Sequence, residues 1–246
     1  MLKLFLSPHN DDESLFGAYT LMREKPLVVV VFGTASYMGN EYDGGKSEEI
    51  ARSKGATILH VDSHDQVVMR NAAIDYLRTK GIKWALIVDA DEWWEHKSLE
   101  GAMQFIQETV ESGAQCEAFT KEFINLFRQP TWATNKLYGT RQDGLVAIRT
   151  DRVTERRRET SGFKVLIPED VGGIYHFSYA KDPAFIKRKL GNFSHASEVI
   201  EGWYENTFLP CRLESTNVHP TVPTVWPTLR EITLPKEIKE RFVPYD

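Results

Sequence analysis

The stretch Lys83-Trp84-Ala85-Leu86-Ile87-Val88-Asp89-Ala90-Asp91-Glu92 decides the fold. An apolar run of this length, broken off by acids, predicts a strand covered on both faces. In extended chain, residues i and i+2 point the same way, so Asp89 and Asp91 can aim both carboxylates at one point. Aligned carboxylates repel each other unless a positive group sits between them. A hard divalent cation, Mn²⁺ or Mg²⁺, suits that position, because it takes oxygen ligands and often shares its shell with phosphates. An acidic surface loop with no ligand is the plainer reading of so short a motif.

Upstream, the pattern alternates. Residues 2–6 and 27–32 read as strands, the second a β-branched run. Residues 14–23 place Leu15, Ala18, Tyr19 and Met22 at helical spacing. Residues 47–53 predict a helix stopped near Gly55, 57–61 a third strand, and 66–79 a helix with Gly81 behind it. Strand and helix in turn imply right-handed crossovers and a mainly parallel sheet. Ligands of such sheets bind outside the carboxyl ends of the strands, where Asp89 and Asp91 fall.

Downstream the rhythm changes. Residues 98–111 predict a helix, and β-like stretches follow near 117–127, 144–149 and 173–177. A helical pair is expected at 183–190 and 196–204. A proline-rich tail holds Pro220, Pro223, Pro227, Pro235 and Pro244. The expected division is a nucleotide-binding β-α-β half (1–95), an acceptor and metal-completing half of the same domain (96–205), and an extended tail (206–246).

Composition narrows the function classes. The chain has 246 residues, is 41% hydrophobic and carries a net charge of −5, which argues against a protein wrapped around nucleic acid. Its two cysteines, Cys116 and Cys211, form no disulfide framework, so a reduced, cytoplasmic setting is expected. The amino terminus does not read as a signal peptide, and no apolar run is long enough to span a bilayer.

Met69-Arg70-Asn71-Ala72-Ala73-Ile74 followed by the Asp-Ala-Asp-Glu strand resembles the family 2-like glycosyltransferases. So do Glu48-Glu49-Ile50-Ala51-Arg52-Ser53-Lys54-Gly55-Ala56 and Gly173-Ile174-Tyr175-His176-Phe177-Ser178-Tyr179-Ala180. The resemblance runs in order over residues 1–205, and its Asp-Ala-Asp-Glu and Tyr-His-Phe-Ser-Tyr segments are the specific ones. It implies an α/β fold of the GT-A-like (Rossmann-like) kind, a mainly parallel sheet flanked by helices, with a helical and extended carboxyl-terminal part. It also implies an enzyme that moves a sugar from a nucleotide-diphosphate donor with Mn²⁺ or Mg²⁺. The resemblance assigns the metal to Asp91, His176 and Asp89, or gives Asp89 the ribose instead. Arg70 is expected to contact the nucleotide or to brace Asp89. Trp93 and Trp94 offer packing or an aromatic face, and Glu92 reads as a structural acceptor.

A second motif competes. Ser7-Pro8-His9-Asn10-Asp11-Asp12-Glu13 resembles the His-Pro-Asp-Asp-Glu signature of PIG-L/LmbE-like zinc N-deacetylases. That likeness implies His9 and Asp12 as Zn²⁺ ligands and Asp11 as general base. Asn10 replaces the signature proline, and the late second histidine is missing, since His219-Pro220 runs into Thr221. On a transferase scaffold, His9, Asp11 and Asp12 would line the nucleotide pocket. A non-catalytic sugar-nucleotide binder is the third reading.

Asp143, Glu169 and Asp170 are candidate general bases for taking an acceptor hydroxyl's proton. The acceptor itself is open: a glycan, a small molecule or a modified nucleic acid. Arg149, Arg152, Arg156, Arg157 and Arg158 form a basic stretch that is either a solvated loop or a clamp for phosphate.

Overall fold

The structure, a computed structural model, describes residues 3–7, 29–32, 46–63, 65–89, 91–135, 143–155, 159–192 and 196–239. The expected helix at 14–23 lies outside them. Two compact units form, Met1–Glu122 with Asp143–Ile174, and Phe123–Gln142 with Tyr175–Asp246. In chain order the strands are β1 (Lys3–Ser7), β2 (Val29–Phe32), β3 (Thr57–His60), β4 (Trp84–Asp89), β5 (Glu92–Trp94), β6 (Ala118–Phe127), β7 (Gln129–Thr134), β8 (Asp143–Arg149), β9 (Lys164–Leu166), β10 (Ile174–Tyr179) and β11 (Leu229–Glu231). The α-helices are α1 (Lys46–Ser53), α2 (Gln66–Thr79), α3 (His96–Glu111), α4 (Pro183–Asn192) and α5 (Lys236–Lys239).

The first unit is the expected α/β sheet. β3, β2, β1 and β4 lie side by side and parallel, with Val29 paired to Thr57 and to Phe5, and Ser7 paired to Asp89. β8 continues the sheet antiparallel to β4, the first half of β6 runs antiparallel to β8, and β9 pairs with β6 in parallel. β4 is central and apolar from Trp84 to Val88, and Ala85, Leu86, Ile87 and Val88 are all buried.

Helix α2 packs Met69, Ala73, Ile74 and Leu77 into one core with Val31, Ile82, Ala85, Ile87, Leu145 and Ile148. It starts where the Asp65 carboxylate accepts from the Val67 amide at 2.7 Å. It ends at Gly81, whose φ of 71° suits the left-handed turn that glycine adopts without strain. Truncating fully buried Leu77 to alanine should cost about 2–5 kcal/mol.

In the second unit, the end of β6 turns into β7 at Arg128 (φ 61°), and β11 adds antiparallel to β7. The proline-rich tail supplies this strand. Phe127 is the centre of an aromatic core, with the rings of Tyr179, Trp203, Phe208 and Trp226 at 6.1, 6.0, 5.6 and 5.9 Å. The buried Trp203 indole N–H donates to the Val218 carbonyl at 3.0 Å. The helix expected over 196–204 is instead a 3-10 turn, Ala196–Glu198, and a separate π turn, Tyr204–Phe208. Gly202, at φ 67°, falls between them and breaks the helical path. No helix among the described residues is long and apolar enough to cross a membrane.

Candidate active site

Asp89 is the last residue of β4, at the carboxyl end of the parallel strands. Its neighbour in the sheet is Ser7, the last residue of β1 and two positions before His9, the first of the candidate residues His9, Asp11 and Asp12. Those three residues lie outside the described set. Asp89 is only 7% exposed, and an anion so placed needs a partner. Arg70 supplies one from α2: its Nη2 donates to Oδ2 at 3.2 Å and to Oδ1 at 3.4 Å. The same nitrogen donates to Gln66 Oε1 at 3.1 Å, which locks the side chain along its own helix. Arg70 is buried, and its Nε finds no hydrogen-bond partner among the described residues.

Two residues on, Asp91 is also buried at 7% exposure. Glu92 accepts the Trp94 indole N–H at 3.2 Å, and both Trp93 and Trp94 are buried. Neither tryptophan presents an open ring face.

Two of the metal candidates, Asp89 and Asp91, thus belong to the first unit, whereas His176 belongs to the second. On β10, His176 Nδ1 donates to Asn125 Oδ1 at 2.8 Å, and the Phe123 ring lies 5.9 Å away. With the proton on Nδ1, the ring lone pair is on Nε2, the form in which imidazole ligates a metal.

No group of three His, Cys, Asp or Glu side chains comes together as a cation cage among the described residues. Within the first unit, a cation would meet Asp91 and an Asp89 whose charge Arg70 already balances. One or two carboxylates completed by substrate phosphates are an ordinary site for Mg²⁺, and a poor one for a metal held by protein alone.

Of the candidate bases, Asp143 opens β8 opposite Glu122. Asp170 and Glu169 occupy the exposed 3-10 turn Glu169–Val171. Spacing alone did not reveal buried Lys121, whose Nζ donates to the Pro168 carbonyl at 2.8 Å just before that turn. Burial pushes its ammonium below the usual lysine range, against the opposing pull of Glu169, Asp170 and Glu122. A buried lysine opposite a Pro-Glu-Asp turn is a signal that only pairing information exposes.

The basic stretch is partly neutralised. Arg149 binds both oxygens of Asp151, and Arg152 pairs with Glu117. His219 Nδ1 accepts the amides of Thr221 (3.2 Å) and Val222 (3.1 Å), so this histidine caps a turn.

No family model and no curated protein matches the chain. Solved structures similar to it include S. aureus TarS 1-349, at 12% identity over 85% of this chain and 76% of that one, with a TM-score of 0.46. Against the longer TarS chain, this protein covers 40% of the length. Another is the mannosyltransferase PcManGT from Pyrobaculum calidifontis in complex with GDP-Man and Mn²⁺, at 17% identity over 77% and 61%, TM-score 0.44. A third is 4-diphosphocytidyl-2C-methyl-D-erythritolsynthase from Anaerococcus prevotii, at 10% identity over 76% and 94%, TM-score 0.40. At such identities and scores the likeness carries nothing about substrate, which has to be read from the residues.

Proposed function

We propose that this chain transfers a sugar from a nucleotide-diphosphate donor to an acceptor hydroxyl, with Mn²⁺ or Mg²⁺ bound at Asp91. The observation that carries this reading is the Arg70–Asp89 pair at the end of β4, with a second buried carboxylate, Asp91, two residues on. Asp89 is balanced by Arg70, so its oxygens are fixed in place as acceptors suited to ribose hydroxyls or to a shared cation. Asp91 contributes its charge to the cation. When bound, that cation would neutralise the negative charge that builds on the departing diphosphate.

Asp170 acts as the base: the acceptor oxygen forms a bond to the anomeric carbon and gives its proton to the Asp170 carboxylate. The bond from that carbon to the diphosphate breaks, and the leaving group departs with the electron pair. Asp170 is taken as the base because its turn is exposed and anchored. His9, Asp11 and Asp12, which lie outside the described residues, are assigned to the nucleotide pocket from the sequence motif alone.

Calorimetric titration with uridine and guanosine diphosphates, with and without Mn²⁺, tests the reading. Binding should require the metal and be lost in Asp91→Asn. Metal-independent binding unaffected by that change would overturn it. Zinc retained through purification and lost in His9→Ala would transfer the chain to the deacetylase reading.

A further inference from the structure

The turn that carries Asp170 is built with unusual care for an exposed segment. The β6–β9 ladder pairs Ala118 with Lys164, Phe119 with Val165 and Thr120 with Leu166, and the Ile167 amide still reaches the Thr120 carbonyl at 2.8 Å. At the next residue along each strand, a side chain takes over from the backbone. Lys121, 2% exposed, sends its ammonium to the Pro168 carbonyl at 2.8 Å. That carbonyl also receives the Val171 amide at 3.4 Å, while the Gly172 amide closes on the Glu169 carbonyl at 3.0 Å.

The other side of the turn rests on helix α3. A Cβ on Gly101 would come 3.0 Å from the Val171 side chain. A Cβ on Gly172, whose φ is 102°, would lie 2.0 Å from Ser98 Oγ. Two glycines therefore let the turn lie flush on the helix, and one buried cation ties its first carbonyl to the sheet. A buried ammonium is costly to keep charged, and an ordinary surface turn has no need of one.

We propose that Lys121 is the positioning residue for Asp170: its ammonium fixes the Pro168 carbonyl and thereby sets where the carboxylate meets the acceptor hydroxyl. This rests on the transferase reading and on Asp170 as its base. Misplacing a catalytic group by an ångström costs on the order of 100-fold in rate, so the device matters to turnover and not to donor binding.

The test is hydrolysis of the sugar nucleotide that the wild type binds, with Mn²⁺ present and water as acceptor. Donor affinity is measured separately by calorimetry. Lys121→Met should lower kcat on the order of 10- to 100-fold and leave donor affinity unchanged. A lysine that only supports folding would lower the unfolding temperature and leave kcat of the folded protein intact, which would overturn the proposal. Should Lys121→Met fail to fold, Lys121→Gln, polar and shorter, carries the same test with the same outcomes.

Asp170→Asn separates this claim from the one beneath it. If Asp170→Asn keeps full turnover, the base is elsewhere and both claims fall. If Asp170→Asn is inactive while folded Lys121→Met is fully active, only the positioning role falls. A wild-type chain that binds no sugar nucleotide, or turns none over, sinks the transferase reading and this one with it.

Discussion

Removing Arg70 should be the most damaging single change at the candidate site, and its cost can be worked from geometry. Arg70 Nη2 stands 3.2 Å from Asp89 Oδ2, with both residues nearly out of water. At an effective dielectric constant near 20, that separation corresponds to an attraction of about 5 kcal/mol. The attraction mostly repays the desolvation of the two ions, so the pair adds little net stability. Arg70→Met removes the repayment and leaves the buried carboxylate without its arginine, which costs about 3–5 kcal/mol. For a chain of this size the shift in unfolding temperature is about 6 to 20 °C. Asp89→Leu should cost a similar amount by stranding the guanidinium. The double variant Arg70→Met/Asp89→Leu should recover most of the loss, because apolar side chains of similar volume replace a costly ion pair. Thermal and urea unfolding of the four proteins, closed as a double-mutant cycle, measures this. Single changes below about 1 kcal/mol, or a double variant whose loss is the sum of the singles, would refute the account.

Three further outcomes are expected. Asn71 binds Thr154 through its Nδ2 to the carbonyl at 3.0 Å and through its Oδ1 to the amide at 2.7 Å and the hydroxyl at 3.0 Å, so Asn71→Ala should cost about 2 to 4 kcal/mol in urea unfolding. A loss under about 1 kcal/mol would mean that water replaces those bonds without penalty. Asn125→Ala removes the bond from His176 Nδ1 and should cost about 1 kcal/mol in urea unfolding; no measurable loss would mean that water replaces that bond without penalty. Burial pushes the Cys116 and Cys211 thiols above the ordinary range, so at mildly alkaline pH both should resist Ellman's reagent until denaturant is added. Prompt labelling of the folded protein would show that one of these cores opens readily.

What could be read from sequence follows the range of the interactions involved. The strand ending in Asp89 is visible as an unbroken apolar run, and helix α2 because apolar residues recur at helical spacing and Gly81 ends it. β7 and β11 were not read as strands, since Pro130 interrupts the first and the second is only Leu229–Glu231. Their pairing joins residues almost a hundred positions apart, and no local window reports it. The helix expected across 196–204 failed for a local reason that was present in the sequence. Gly202, at φ 67°, is the local signal that interrupts a helix there.

At the candidate site the same distinction separates residue types from residue roles. Asp89 and Asp91 are conspicuous as a pair because they are two positions apart, but what distinguishes them comes from nineteen positions upstream. Arg70 on α2 pairs with Asp89, a partner that the spacing of the two aspartates does not report. The His176–Asn125 bond spans 51 positions and the Lys121–Pro168 bond 47, and each fixes the orientation of a group that the sequence could only name. Such partners are buried polar residues on strands, where a side chain without a partner would be expensive. A lysine or asparagine in an otherwise apolar strand therefore asks what distant group it satisfies. At Lys121 that question leads directly to the turn holding the proposed base.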